Sequence, residues 1–297
     1  RDQFLELKGF FDGQFTLTGN LDEPMVNGNG QISEATINPV FLNSPLSIQK
    51  EGLNIVDNRF NFSNFTISDK QKSKALLNGN IHYMPDQPLS FDLTFNASDF
   101  LFLNTKETES SLYYGILKSD VFAKIRGTID RPVVELETSI KPGSKMYFRM
   151  PESESNDENF SDIVQFVDKD TTNQRLKSML DKQSPELSAS TKLDLKANID
   201  FEDNMPLSIL IDPITNEELY INGKGKLSFS MNEREPMALS GIYTIENGTY
   251  KLILYKVFKR DFSIVKGSQL IWSGDILKPI TDIKAKYIVE NSSLGLI

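Results

Sequence analysis

Hydrophobic and polar residues alternate along most of the chain with the period of two that is typical of β-strands. The most regular run covers residues 193–201, where every second residue is apolar and charged or amide side chains fall between. Similar runs extend from Phe4 to Phe100 and from Leu239 to Tyr287. Asn–Gly and Gly–Asn steps interrupt them, at Gly19, 28, 30 and 79, and are typical of tight turns. The pattern therefore predicts a long succession of strands.

The stretch from Leu239 to Tyr287 is the most informative part of this pattern. Turns are predicted at Asn247-Gly248, at Lys266-Gly267 and at residues 273–275, and they define which side chains share a face. Earlier in the chain, residues 193–201 and 218–231 form a predicted strand pair. The apolar side predicted for the two stretches consists of Leu193, Leu195, Ile199, Phe201, Leu227, Phe229, Tyr250, Leu252, Leu254, Phe262, Ile264, Leu270, Trp272, Ile283 and Ala285.

The chain contains no persuasive amphipathic helix in its alternating parts. A sheet with one apolar face must be covered, and without helices only more sheet or an external apolar partner can cover it. A sandwich, a barrel, a solenoid and an open trough all satisfy this condition. The segment GNLDEPMV at residues 19–26 is echoed by GTIDRPVV at 127–134, which favours an extended periodic β architecture.

Composition and charge exclude several classes of function. The formal net charge of −9 argues against nucleic-acid binding, which requires a basic surface. The absence of cysteine excludes zinc–thiolate sites, thiol catalysis and disulfides. The single histidine, His82, has no partner for a triad or a metal site, and the carboxylates fall mainly beside Gly, Pro or Asn, where they bend the backbone. We therefore expect no catalytic site, no metal and no cofactor.

The pattern divides the chain into three parts. Residues 1–150 form a repetitive β-sheet segment, and residues 191–297 form a second one. Residues 151–190 are acidic, polar and rich in turn formers, which predicts a flexible loop or a short helical insertion. No apolar run reaches the roughly 20 residues of a membrane-spanning helix. The chain begins without Met, and we expect it to be an excerpt of a longer protein.

A resemblance to a known family rests on a series of landmarks near the C-terminus. In this order, the landmarks are Gly241, Tyr243, Gly248, Tyr250, Phe262, Gly267, Ser268, Trp272, Gly274, Asp275, Pro279, Ile283, Ala285 and Tyr287. This order resembles the C-terminal domain of the TamB family, the translocation and assembly module proteins of Gram-negative envelopes. The resemblance implies an all-β fold in which a long, curled, mostly antiparallel sheet forms a trough, or β-taco, with an apolar interior.

The resemblance also implies a function and a location. It implies a non-enzymatic periplasmic protein that shields phospholipid acyl chains between the inner and outer membranes and supports outer-membrane protein assembly. Its implied partners are phospholipids and an Omp85-type barrel, TamA-like or BamA-like, and its inner-membrane anchor would lie outside this chain. The apolar side chains named above would line the lipid groove. Two alternatives fit the same pattern: a β-solenoid structural or adhesive module with a dry core, and a scaffold that pairs with incoming barrel strands.

Overall fold

The computed structural model describes residues 4–20, 22–39, 44–107, 113–149, 192–212, 215–233, 237–254, 258–276 and 278–288. These residues form strands, turns and short connections, and no helix in them could cross a membrane. The strands are β1 (Phe4–Gly19), β2 (Pro24–Pro39), β3 (Leu46–Val56), β4 (Arg59–Ser68), β5 (Lys74–His82), β6 (Ser90–Thr105), β7 (Tyr113–Thr128), β8 (Arg131–Ile140), β9 (Lys145–Arg149), β10 (Asp194–Asp212), β11 (Glu217–Met231), β12 (Ala238–Leu254), β13 (Phe258–Ile264), β14 (Gln269–Gly274), β15 (Ile280–Asp282) and β16 (Ala285–Lys286).

All of these strands belong to one sheet. From β1 to β8 each strand pairs with the next in antiparallel fashion. Strand β10 follows β8 in the sheet, and β11, β12 and β13 continue it in antiparallel order. Strand β14 pairs with the first half of β12, β15 pairs with β14, and β16 pairs with β13. The prediction of an all-β fold built on one long, mostly antiparallel sheet is confirmed.

The sheet contains one pairing that the alternation did not predict. Strands β8 and β9 occupy a single row between β7 and β10, and both run parallel to β10. Leu195 is the register partner of Val134 in β8, and Leu207 is that of Met146 in β9. Parallel neighbours cannot be joined by a tight hairpin turn and require a longer connection. The insertion predicted at residues 151–190 lies outside the described residues.

Several glycines that the sequence placed in turns lie inside strands. Gly28 and Gly30 are within β2, Gly79 is within β5, and Asn247-Gly248 is within β12, so the predicted turns at these positions are wrong. Gly79 has φ +117°, and a Cβ there would lie 2.1 Å from the carbonyl oxygen of Asp92 in β6. A strand glycine of this kind allows the neighbouring backbone to approach closely. The turn at Lys266-Gly267 is confirmed.

The weak internal echo in the sequence corresponds to a repeated turn. Gly19 pairs with Pro24 at the end of the β1–β2 hairpin, and Gly127 pairs with Pro132 at the end of the β7–β8 hairpin. Both glycines have a positive φ, +88° and +99°. A Cβ on either would lie 2.4 Å from a carbonyl oxygen of the returning strand. The two segments therefore resemble each other because both close a hairpin in the same way.

A buried carboxylate links the β4–β5 turn to strand β6 by hydrogen bonds. Asp69 is only 2% exposed. Its Oδ1 accepts hydrogen bonds from the backbone N–H groups of Gln71 and Ser73, both at 2.8 Å. Its Oδ2 accepts one from the N–H of Leu101 in β6 at 2.7 Å. The sequence placed Asp69 at a turn, and the structure adds the long-range bond to β6.

Candidate functional site: the apolar face of the sheet

One face of the sheet is apolar across strands β10 to β14, and a β-bulge keeps it continuous. In β12 the register partner of Asn247 is Asn222, whereas that of Ile245 is Gly223, so Glu246 is an extra residue. A bulge shifts the alternation by one position. Tyr243 and Tyr250 therefore lie on the same face although they are an odd number of positions, seven, apart in the sequence. The predicted turn at Asn247-Gly248 is replaced by this bulge within one long strand.

Six of the predicted groove residues come together on this face. Ile264 and Leu270 are buried in a cluster with Leu219, Ile221, Tyr243 and Ile245, whose side chains are at most 8% exposed. The half-buried side chains packed against this cluster include four more of the predicted residues: Phe201, Tyr250, Trp272 and Ile283. The structure therefore brings these six residues together on one apolar face.

The remaining predicted residues lie at the margins of this cluster. Phe229 packs against buried Met237, and Leu195 is the register partner of Met231. Ile199 pairs with Leu227, which is 8% exposed. The other five are half-buried Leu193, Leu252 and Phe262, exposed Ala285, and Leu254, whose side chain lies outside the described residues.

Two observations differ from the sequence-based assignment of faces. Ile253, which alternation placed on the outer side, is only 8% exposed. Ile245 and Leu207 belong to the apolar face but were absent from the predicted lining. Ile245 was missed because the Asn247-Gly248 step was interpreted as a turn that separates it from Tyr250. The alternation of Ile245 with Tyr243 was the available signal.

The polar atoms on this face have partners within the protein. The Tyr243 hydroxyl donates to the carbonyl oxygen of Met205 at 3.0 Å, and burial raises the pKa of this phenol. The Tyr250 hydroxyl donates to the Glu217 carboxylate, and burial together with this carboxylate raises the pKa of Tyr250 to about 12. Trp272 Nε1 donates to the carbonyl oxygen of Ile276 at 3.0 Å. The polar groups of these three aromatic side chains are therefore hydrogen-bonded within the protein.

The same face is exposed at the other end of the sheet. In β1, the side chains of Leu7, Phe11, Phe15 and Leu17 alternate along the strand and are 68%, 53%, 44% and 69% exposed. Phe15 and Phe11 stack with their ring centroids 5.6 Å apart. This row is continuous with the buried part of the apolar face. Phe11 pairs with Ile32 in β2, and Ile32 packs against the buried side chains of Ala35, Ile48 and Phe65. The apolar face is thus open at β1.

The opposite face of the sheet is mainly polar, with a few apolar side chains such as Phe122 and Ile253. Ion pairs join neighbouring strands across it, for example Lys226 with Asp200 at 2.7 Å and Lys141 with Asp120 at 2.6 Å. Burial opposes ionisation of Asp120, but hydrogen bonds from Lys141, from the Asp99 N–H and from Ser98 outweigh it and hold the pKa of this carboxyl below its ordinary value. The two faces therefore differ sharply in chemistry.

Comparison with known proteins identifies the family. A family model described as the TamB C-terminal domain matches residues 63–295, which is 233 of the 297 residues. Searches of curated proteins and of solved structures found no match. The matched range begins within β4, so strands β1 to β3 precede it while continuing the same sheet. The chain therefore belongs to the TamB family, whose members act in assembly of the Gram-negative envelope, and carries that family's C-terminal domain.

Proposed function

We propose that this chain is a non-enzymatic segment of a periplasmic conduit, and that its apolar sheet face shields the acyl chains of phospholipids. The observation that carries the proposal is the row of exposed apolar side chains in β1, which continues into the buried apolar face. Covering such a surface with acyl chain stabilises the complex by about 25 cal/mol per Å² of apolar area. No specific polar contact is needed, which suits a lipid that must move along the face.

The family supports the envelope setting of this proposal. Members work with Omp85-type barrels in general, and we propose such a barrel as the partner, with an inner-membrane anchor in a part of the protein outside this chain. The apolar face would then bridge the two membranes. The closed cluster around Tyr243 and Ile245 supports a second role for strands β10 to β14, that of a packed structural core. We therefore place lipid contact mainly at strand β1, since apolar side chains of β3, β4 and β5 such as Ile55, Phe65 and Ala75 are buried.

A photo-crosslinker in the living envelope tests this proposal. A crosslinker at Phe15 or Leu17 should capture phospholipid, whereas one at Thr16, between them on the opposite face, should not. A crosslinker at Phe262, beside the closed cluster, should capture less lipid than one at Leu17. The measurement is mass spectrometry of the crosslinked adducts. Equal lipid capture at Leu17 and Thr16, or adducts at Leu17 to protein alone, would contradict the proposal.

A further inference from the structure

A cleft on the polar face crosses five neighbouring strands, β6, β7, β8, β10 and β11. Its cavity volume is about 540 Å³. Ala97, Val121 and Leu227, which line it from the apolar side, are only 4%, 6% and 8% exposed. The accessible walls of the cleft are therefore formed by the side chains that alternate with them, and these belong to the polar face.

Two rows of paired side chains cross the cleft from strand to strand. In the first row Asn96 pairs with Phe122, Phe122 with Glu137, Glu137 with Asn198, and Asn198 with Ser228. The Ser228 hydroxyl donates to Oδ1 of Asn198 at 2.9 Å. The second row lies two residues away along the strands and consists of Asp120, Ser139, Asp200 and Lys226. The cleft thus presents amide, hydroxyl and carboxylate groups in a regular array.

Phe122 is the aromatic residue of this array and lines two cavities. Its side chain is 38% exposed although its neighbours on this face are polar. Phe122, Glu137 and Asn198 also line a second cavity of about 190 Å³. The Lys124 ammonium lies 5.6 Å from the ring centroid. An exposed ring flanked by hydrogen-bonding groups offers an apolar surface and directional contacts in the same place.

This combination fits a sugar ring. One side of a pyranose presents C–H groups that pack on an aromatic face, and its hydroxyls both donate and accept hydrogen bonds. Amide, hydroxyl and carboxylate side chains supply the complementary donors and acceptors. Ion pairs with Lys141 and Lys226 offset the carboxylates of Asp120 and Asp200 in the cleft. The Glu137 carboxylate, next to Phe122 in the first row, repels anionic ligands such as phosphates or uronates, because like charges repel.

We propose that the cleft binds a neutral oligosaccharide that lies across the strands, with a pyranose ring stacked on Phe122. Neighbouring strands are about 4.8 Å apart, so the five strands span about 19 Å. The sugars of a β-1,4-linked chain repeat at a similar distance, and four of them match this span. Asn96, Asn198 and Ser228 would bond successive sugars along the first row. The proposal concerns the polar face and is independent of lipid binding on the apolar face.

Isothermal titration calorimetry on the full chain tests this site. Chitotetraose and cellotetraose are the neutral probes, and tetragalacturonate is the anionic one. At least one neutral probe should bind, and tetragalacturonate should bind at least tenfold more weakly. Phe122→Ala should weaken binding of the neutral probe tenfold or more, since aromatic anchors contribute most to such contacts. Asn198→Ala, a change at an exposed side chain, should weaken it by a smaller factor.

The matched control is Phe10→Ala, which removes an exposed ring in β1, 64% exposed and far from the cleft. It should leave glycan affinity unchanged, and thermal denaturation of each variant should show that the fold is kept. Failure of both neutral probes to bind would overturn the proposal. Stronger binding of tetragalacturonate, or equal weakening by Phe10→Ala and Phe122→Ala, would overturn it as well. None of these results would bear on the lipid crosslinks at Leu17.

Discussion

Strands β1 and β12 carry the same alternating pattern, but the apolar side chains of the two strands have different environments. In β1, Leu7 and Leu17 are more than two thirds exposed. In β12, Tyr243 and Ile245 are 2% and 0% exposed, because side chains of β10, β11, β13 and β14 pack around them. Alternation therefore identifies an apolar face but does not identify what covers it. One end of this face is an internal core, and the other end, at β1, is exposed to solvent.

The largest expected effect comes from truncating one side chain at each end. Ile221 is fully buried in the closed cluster, so Ile221→Ala should lower the free energy of unfolding by about 2–5 kcal/mol through lost burial and a cavity. Leu17→Ala, on the same face of β1, should change it by no more than about 0.5 kcal/mol. Urea denaturation of the two variants measures both values.

The opposite ranking would contradict the comparison. If Leu17→Ala destabilised the protein as much as Ile221→Ala, the apolar face of β1 would have to be covered within the protein. Lipid binding to β1 would then lose its main support. A smaller loss in Ile221→Ala than in Leu17→Ala would also refute the description of strands β10 to β14 as a closed core.

An intermediate effect is expected from adding a methyl group to a strand glycine at each end. A Cβ on buried Gly223 would lie 2.2 Å from the carbonyl oxygen of Thr244 and 2.9 Å from the Tyr243 ring. The first atom belongs to the backbone and the second to a buried ring, so neither can move away easily. Gly223→Ala should therefore lower the free energy of unfolding by about 1–3 kcal/mol. A Cβ on Gly30 would meet atoms of the Phe11 ring at 2.6 Å, and that ring is exposed and can move. Gly30→Ala should therefore lower the stability less than Gly223→Ala does. Thermal denaturation of the two variants measures the difference, and the melting temperature of Gly30→Ala should be the higher one.

The local alternation of apolar and polar residues was sufficient to predict an apolar face and the pairing of two strands. The alternation at residues 193–201 and 218–231 correctly indicated that these strands pair, and Leu195 is indeed opposite Met231 in an antiparallel register. The residues next to Gly248 in the sequence do not show that it lies within a strand. Its Asn–Gly step favours a turn, but in the fold Gly248 pairs with Ile221 on one side and Ile264 on the other. Hydrogen-bonded pairing of β12 with β11 and with β13 outweighs the preference of Asn247-Gly248 for a turn.

Other features depend on contacts between distant parts of the chain. Parallel pairing of β10 with β8 leaves no mark on the sequence, because alternation is the same in parallel and antiparallel strands. The polar cleft could not be predicted from the sequence either. Phe122, Glu137 and Asn198 are well separated in the sequence and become neighbours only through the sheet register. Each of them alone looked like an ordinary surface residue.

The smallest expected effect concerns the polar face, where the two regions should respond alike. Asp120 accepts hydrogen bonds from Ser98 and from the Asp99 N–H, both at 2.8 Å, and pairs with Lys141 at 2.6 Å. Although burial opposes it, the result is a pKa below the ordinary value. In the closed region, a hydrogen bond from Lys266 holds the pKa of Glu246 below its ordinary value. Both carboxylates therefore favour the folded state when they are ionised.

The sign of the pH dependence follows from these depressed pKa values. The stabilisation by Asp120 should be fully present above its unfolded-state pKa of about 3.9 and should disappear as the pH falls through its lower folded-state pKa. Asp120→Asn should thus be less stable than the unmodified chain at pH 7, by less than about 1 kcal/mol because the carboxylate is partly exposed, and the gap should close at low pH. Glu246→Gln should follow the same direction. Urea denaturation at pH 7 and at pH 3 measures the gap, and a gap that widens on acidification would refute the assigned contacts of these carboxylates.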